Sequence, residues 1–262
     1  MTGVFIKLFL CYNVCVMADY KVRGIVLKTS DYKDNDKIIK LYSLEQGKIN
    51  AVMRGVKKAK AKMKIAAQVF CFGEYVLLGS GDFPVVTGSA VEESFFSLCT
   101  DPDKFSAAAA VIELTEKAVP PFESNPQIFL LLLKTMNELL KVSAESENVR
   151  ARCRLILLSF MLKLFGLSGF KIKFDKCCVC GGDFFGPRAF DFIAGGAACK
   201  RCAGYNSAPV TPLCCGIMAA ANNCDTDRLD TLAMDEAGVE EGIALCKTLS
   251  ERVFECRLLS LN

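Results

Sequence analysis

The sequence predicts an α+β protein: a small β-barrel or sandwich, then a helical domain with a cysteine module inserted in it. Three observations predict this. Residues 20–90 fall into five short, largely alternating polar–apolar runs punctuated by glycine. Near residue 100 the apolar residues change to helical spacing, and proline marks the starts. Further on, Cys177-x2-Cys180 and Cys199-x2-Cys202 stand eighteen residues apart, which is the spacing of a tetrathiolate zinc site.

The strands come first. Lys21 to Leu27 alternates and ends in Ile25-Val26-Leu27; Lys37 to Tyr42, Ile49 to Met53, Phe70 to Leu78 and Val85 to Ala90 follow. Asp101-Pro102 reads as an N-cap followed by proline at the first helical position, with a helix to about Val119 that Pro120-Pro121 stops. Asn125-Pro126 repeats the signal for a helix over 127–141. Its apolar stretch 128–133 is ended by Lys134 and Glu138, so it reads as a buried helix and not a membrane span. Arg150 to Phe165 places Leu155, Leu158, Leu162 and Phe165 at helical spacing. Helical character resumes near Thr211, and 235–258 reads as one amphipathic helix. The division expected is 18–95 for the β domain, 100–170 with 207–262 for the helical domain, and 171–206 for the cysteine module. Residues 1–17 form a short apolar extension interrupted by Lys7 and Asn13, with no A-x-A site before Asp19. They read as lying outside the fold, with Met17 the working start.

Fifteen cysteines and no histidine exclude several functions. Ser-His-Asp and Cys-His nucleophiles and His-ligated catalytic zinc cannot be built from this chain. An odd cysteine count makes a poor disulfide framework and fits reduced thiols in a cytoplasmic protein. Cys177, Cys180, Cys199 and Cys202 are the expected ligands of one structural Zn²⁺. Four thiolates leave no open position for water, so the metal staples the module and activates nothing. Cys178 breaks the x2 spacing and reads as spare, while Cys214 and Cys215 lie just downstream as alternative thiols. Lys171, Lys173, Lys176, Arg188, Lys200 and Arg201 lie near the quartet in sequence and would offset its charge.

Net charge is only +3, but residues 17–80 hold 13 Lys and Arg against 6 Asp and Glu, a local +7. Its centre is Arg54-Gly-Val-Lys57-Lys58-Ala-Lys60-Ala-Lys62-Met-Lys64. Read as an extended segment, this run puts Lys58, Lys60, Lys62 and Lys64 on one face, suited to a phosphate backbone. Among nearby aromatics, Phe70 and Phe72 read as core. Tyr32, in the polar turn 30–34, is the candidate to stack a base. Asp31, Asp34 and Asp36 could in principle serve a nuclease, but in a turn they read as backbone caps.

The stretch Gly24 to Lys48, GIVLKTSDYKDNDKIIKLYSLEQGK, resembles the opening of the bacterial DNA repair protein RecO family. The Arg54-Gly55-x-Lys57-Lys58 run resembles that family's basic segment. Gly169-Phe170, Cys177-x2-Cys180-Gly181 and Gly195-Gly196-x2-Cys199-x2-Cys202 resemble its zinc knuckles. The family often has Pro at Ile172 and Glu at Met161, many members lack an intact quartet, and the last fifty residues match least.

The resemblance implies an N-terminal OB-fold β-barrel, an α-helical domain and an inserted four-cysteine zinc module. It also implies a recombination mediator that is not an enzyme. Such a protein binds single- and double-stranded DNA, anneals complementary strands, engages the C-terminal tail of single-strand-binding protein, and works with RecR to load RecA. The expected DNA contacts are Arg54, Lys57, Lys58, Lys60, Lys62, Lys64 and Tyr32, and the expected setting is the nucleoid. Two rival readings are a zinc-stapled interaction scaffold with incidental nucleic-acid binding, and a CxxC thiol oxidoreductase.

Overall fold

The computed structural model describes residues 19–79, 81–143, 148–232 and 235–261. The expectations for residues 1–17 fall outside these. Five strands form the first unit: β1 (Asp19–Tyr32), β2 (Asp36–Ser43), β3 (Gly47–Met53), β4 (Phe72–Leu78) and β5 (Val85–Glu93). They close a barrel in the order β1-β2-β3-β5-β4, with β4 returning to β1. All pairings are antiparallel except β3 with β5, which meet at Val52 and Val85. β1 is long enough to pair with both β2 and β4, and its register to β2 slips between Val26 and Lys28. A bulge there bends the strand around the barrel. Val22, Val26, Ile39, Leu41, Ile49, Ala51, Met53, Tyr75 and Leu77 fill the interior.

The helical unit is built on α3 (Val149–Leu167), which buries apolar residues on every side. A helix apolar all round must be surrounded. Around it stand α1 (Pro102–Ala118), α2 (Pro126–Lys141), α4 (Pro212–Asn223) and α5 (Glu236–Val253). The proline starts behave as read: the Asp101 carboxylate accepts N–H bonds from Asp103 and Lys104, and the Asn125 side chain accepts from Gln127 and Ile128. Among the described residues no helix is long and apolar enough to cross a membrane.

α5 ends at Val253, short of the expected residue 258. Glu255 turns left-handed at φ 48°, and the tail crosses to α1. There Glu113 accepts N–H bonds from Leu259 and Ser260, and Leu258 is fully buried.

The barrel does not stand apart from the helices. Ile25, Leu27, Tyr42, Phe70 and Phe72 share one apolar core with α1, α2 and α3. The Tyr42 hydroxyl donates to the Asn125 carbonyl at 3.0 Å, and Lys48 Nζ donates to the Glu116 carbonyl at 2.5 Å. Lys40 pairs with the Glu116 carboxylate. The β2–β3 turn touches the α1–α2 loop so closely that a Cβ on Gly47, at φ +67°, would lie 2.2 Å from the Glu123 carbonyl oxygen. Much of the β2–β3 face, a usual ligand face of OB-folds, is thus covered by the protein's own helices.

The cysteine module carries a three-stranded antiparallel sheet, order β7-β6-β8, from β6 (Arg188–Asp191), β7 (Gly196–Cys199) and β8 (Ser207–Val210). Residues from 207 onward were expected with the helices. The chain instead stays extended through Val210, because β8 supplies the second edge partner of β6. Thr211 then caps α4 by accepting from Cys214 N–H.

Candidate nucleic-acid interface and metal centre

The chain between β3 and β4 is not the extended segment that its alternating lysines suggest. It runs as successive turns, with Lys58 N–H donating to Gly55 C=O and Ala61 N–H to Lys58 C=O. The reason is apolar. Val56, Ala66 and Ala67 are buried in the barrel core and Met63 packs against it, so the segment plugs the barrel end. Val56, Ala66 and Ala67 turn inward, while Lys58, Lys60, Lys62 and Lys64 are left exposed, as are Ala59 and Ile65. No carboxylate lies within 4 Å of these four ammonium groups among the described residues.

Lys57 differs. Its Nζ sits 3.0 Å from the Asp31 carboxylate, and this ammonium group draws the Asp31 carboxyl below its ordinary range. Asp36 caps the same junction by accepting the Gly55 N–H at 2.7 Å, and Lys57 N–H donates to the Asn35 carbonyl. The turn expected over 30–34 spans only 33–35, because Asp31 and Tyr32 end β1 and Asp36 begins β2. Asp36 is a backbone cap and Asp31 a lysine partner, and together they tie the end of the β1–β2 hairpin to the start of the basic segment. Arg54 is exposed at this junction. Tyr32 is 38% exposed beside it, with Lys33 Nζ 5.1 Å from its ring centroid. Phe70 and Phe72 are core as read, as are Tyr42 and Tyr75, and of these five aromatics only Tyr32 presents a ring to solvent. Lys33 was missed as its companion; a lysine adjacent to an exposed tyrosine in a turn was the available signal.

The sulfurs of Cys177, Cys180, Cys199 and Cys202 all lie within 4.8 Å of one another. A tetrahedral M(Sγ)4 site with 2.3 Å bonds needs sulfur separations of about 3.8 Å, so the group is close to bonding geometry. Each knuckle closes a tight turn: Gly181 N–H donates to the Cys177 carbonyl, and Cys202 N–H to the Cys199 carbonyl. Cys177 Sγ accepts the Cys199 N–H at 3.3 Å. Burial works against ionisation of Cys177, yet the backbone N–H groups around its sulfur bring it down to about 6. Donors of this kind stabilise thiolate, the form a metal needs.

The two knuckles are held together through β7. Cys178 N–H donates to Ala197 C=O, and Lys173 pairs with Gly196. A Cβ at Gly196 would lie 2.5 Å from the Lys173 carbonyl oxygen. Cys178 falls outside the quartet, and burial pushes its thiol up to about 11. Cys214 and Cys215 are buried on α4 within the helical core. Arg188, expected to offset the quartet's charge, has its guanidinium 4.3 Å from the Phe184 ring centroid and beside the Cys215 thiol.

A family model described as "Recombination protein O N terminal" matches residues 17–95, and one described as "Recombination protein O C terminal" matches residues 99–261. The chain belongs to the RecO family. A DNA repair protein RecO of Clostridium novyi is 32% identical over 183 residues, covering 70% of this chain and 69% of that protein. One from Desulfitobacterium hafniense is 28% identical over 250 residues, covering 93% and 88%. One from Desulforamulus reducens is 32% identical over 188 residues, covering 71% and 70%. The OB-type barrel and helices expected of the family are the architecture found, with the four-cysteine cluster in place.

Proposed function

We propose that this chain is a non-enzymatic recombination mediator that binds single- and double-stranded DNA and anneals complementary strands. The observation that carries the reading is the lysine-rich plug: Lys58, Lys60, Lys62 and Lys64 are each exposed on the segment that packs onto the barrel core, without carboxylate partners among the described residues. Arg54, Lys57 and Tyr32 extend the same surface to the β1–β2 turn. Phosphates bound there release counterions. Bringing two strands onto one cationic surface lowers their mutual repulsion, and annealing then needs no bond made or broken.

The quartet holds one Zn²⁺ as a staple. Metal binding of this kind supplies on the order of 10 kcal/mol to folding a small module, and the short β6–β8 sheet has little core of its own. Partners follow from the family: RecR, and the acidic tail of single-strand-binding protein, through which the protein reaches coated DNA in the nucleoid and promotes RecA loading. A groove lined by Leu131, Leu162, Leu167 and Ile172, with Lys171 exposed at its edge, has the chemistry for an acidic tail with apolar residues.

The test is strand annealing on DNA coated with single-strand-binding protein, comparing wild type with a Lys58, Lys60 and Lys62 triple alanine variant. Loss of annealing with unchanged melting supports the reading. Undiminished annealing contradicts it.

A further inference from the structure

Where the lysine plug ends and the helical domain begins lies an apolar groove of about 510 Å³, lined by Lys64, Ile65, Gln68, Cys71, Ser94 and Phe96. Its size lies within the range of small-ligand clefts. Ile65 and Phe96 stand 62% and 61% exposed. The backbone holds Phe96 out. Phe95 takes a left-handed conformation, φ 47°, that sends its own ring into the core at 1% exposure and its neighbour outward. Phe70, at φ 74°, is buried in the same manner just before Cys71. Such conformations are uncommon for bulky residues and persist only where the surroundings enforce them. The nearby Glu93 carboxylate is turned onto the backbone, accepting from Ser94 and Phe95 N–H at 2.8 and 3.1 Å. Lys64 is the charged residue of the groove's lining, and Glu93 lies close enough to act on Cys71.

We propose that this groove receives an unpaired base of single-stranded nucleic acid. Phe96 supplies the stacking face and Ile65 the apolar wall, while Lys58 to Lys64 hold the phosphates on either side. The charge on the groove's own segment is complementary to that occupant. A duplex keeps its bases paired and stacked, so it can use the lysines and not the groove. The inference rests on the DNA-binding reading above and adds to it the residues that distinguish one strand from two.

The chain contains no tryptophan, so Phe96→Trp introduces a sole indole reporter in the groove. Saturating oligo-dT is expected to quench that indole, while a duplex of equal length, bound to equal occupancy by anisotropy of a label on the DNA, leaves it unchanged. Phe96→Ala is expected to weaken oligo-dT binding about 5- to 150-fold, the range for one lost base stack. Its salt slope and duplex affinity stay at wild-type values, and its melting temperature does too, since the ring is exposed.

An indole that does not respond to saturating oligo-dT overturns the proposal, as it would if the groove instead took an apolar side chain of a protein partner. Equal weakening of single strand and duplex by Phe96→Ala also overturns it. If the triple lysine variant loses salt dependence while both Phe96 readouts stay silent, the groove assignment fails alone and the DNA-binding reading stands. If the wild-type chain binds neither strand, both fail.

Discussion

The ammonium group of Lys57 lies 3.0 Å from the carboxylate of Asp31, 26 positions earlier in the chain. The pair joins the β1–β2 turn to the basic segment and sets Lys57 apart from the four lysines that follow. An exposed pair of this kind adds little to stability, so its consequence is electrostatic. Asp31→Asn is expected to leave melting unchanged and to strengthen DNA binding. It should steepen the log-log salt dependence on single strands by up to about 0.7, one added phosphate contact. By the same logic Lys57→Ala costs less affinity than Lys60→Ala. Anisotropy titrations across salt check both.

Glu116 governs how the barrel–helix junction responds to acid. Burial raises its carboxyl, but the Lys40 and Lys117 ammonium groups outweigh burial and hold it below the ordinary range. A depressed carboxylate stabilises the fold above its unfolded pKa, about 4.3, and that contribution is lost as pH falls through the folded value. Glu116→Gln is therefore expected to be less stable at pH 7 by about 1–3 kcal/mol and to show a flatter decline below pH ~4. Denaturation midpoints between pH 3 and 7 measure this.

Gly47→Ala tests whether the barrel is fixed to the helices. The residue needs φ +67° and would place a Cβ 2.2 Å from Glu123 O. The backbone conformation alone costs a non-glycine residue roughly 1–2 kcal/mol, and the clash adds to it. A loss of more than about 2 kcal/mol is expected in denaturant unfolding, whereas Gly166→Ala, inside α3 with open space at its Cβ position, should be neutral or stabilise by up to about 1 kcal/mol.

The cysteines separate cleanly. Cys180→Ser is expected to abolish zinc binding, and Cys178→Ser to retain one zinc per chain. Gly196→Ala, which forces the Lys173 carbonyl away from β7, should weaken zinc on the order of 10- to 100-fold, as support for ligand geometry does elsewhere. Metal content after competition with a chromophoric chelator reads all three. If zinc is a staple distant from the lysines, its removal should leave the DNA salt slope unchanged.

Much of this was legible in the sequence because it is local. Alternation and glycine marked the barrel strands, Asp101-Pro102 and Asn125-Pro126 marked helix starts, and the CxxC spacing marked the four sulfurs that come together. The basic segment misled because Lys-Ala-Lys-Ala-Lys-Met has the period of a strand. Its real logic is a plug whose buried members, Val56, Ala66 and Ala67, answer to a core formed by distant strands. The Lys57–Asp31 pair, the docking of Gly47 on Glu123 and the return of Leu259 to Glu113 are contacts at long sequence separation. No periodicity announces them. The β6–β8 strands, four residues each, are too short to show one.

The central claim is that exposed lysines on the barrel plug hold phosphates. The most direct measurement is the slope of log affinity against log salt for single-stranded DNA, in wild type and in the Lys58, Lys60 and Lys62 triple alanine variant. The account predicts a slope shallower by about 2 in the variant, three contacts at roughly 0.7 each, with weaker binding throughout. Equal affinity and equal slope in the two proteins would contradict it.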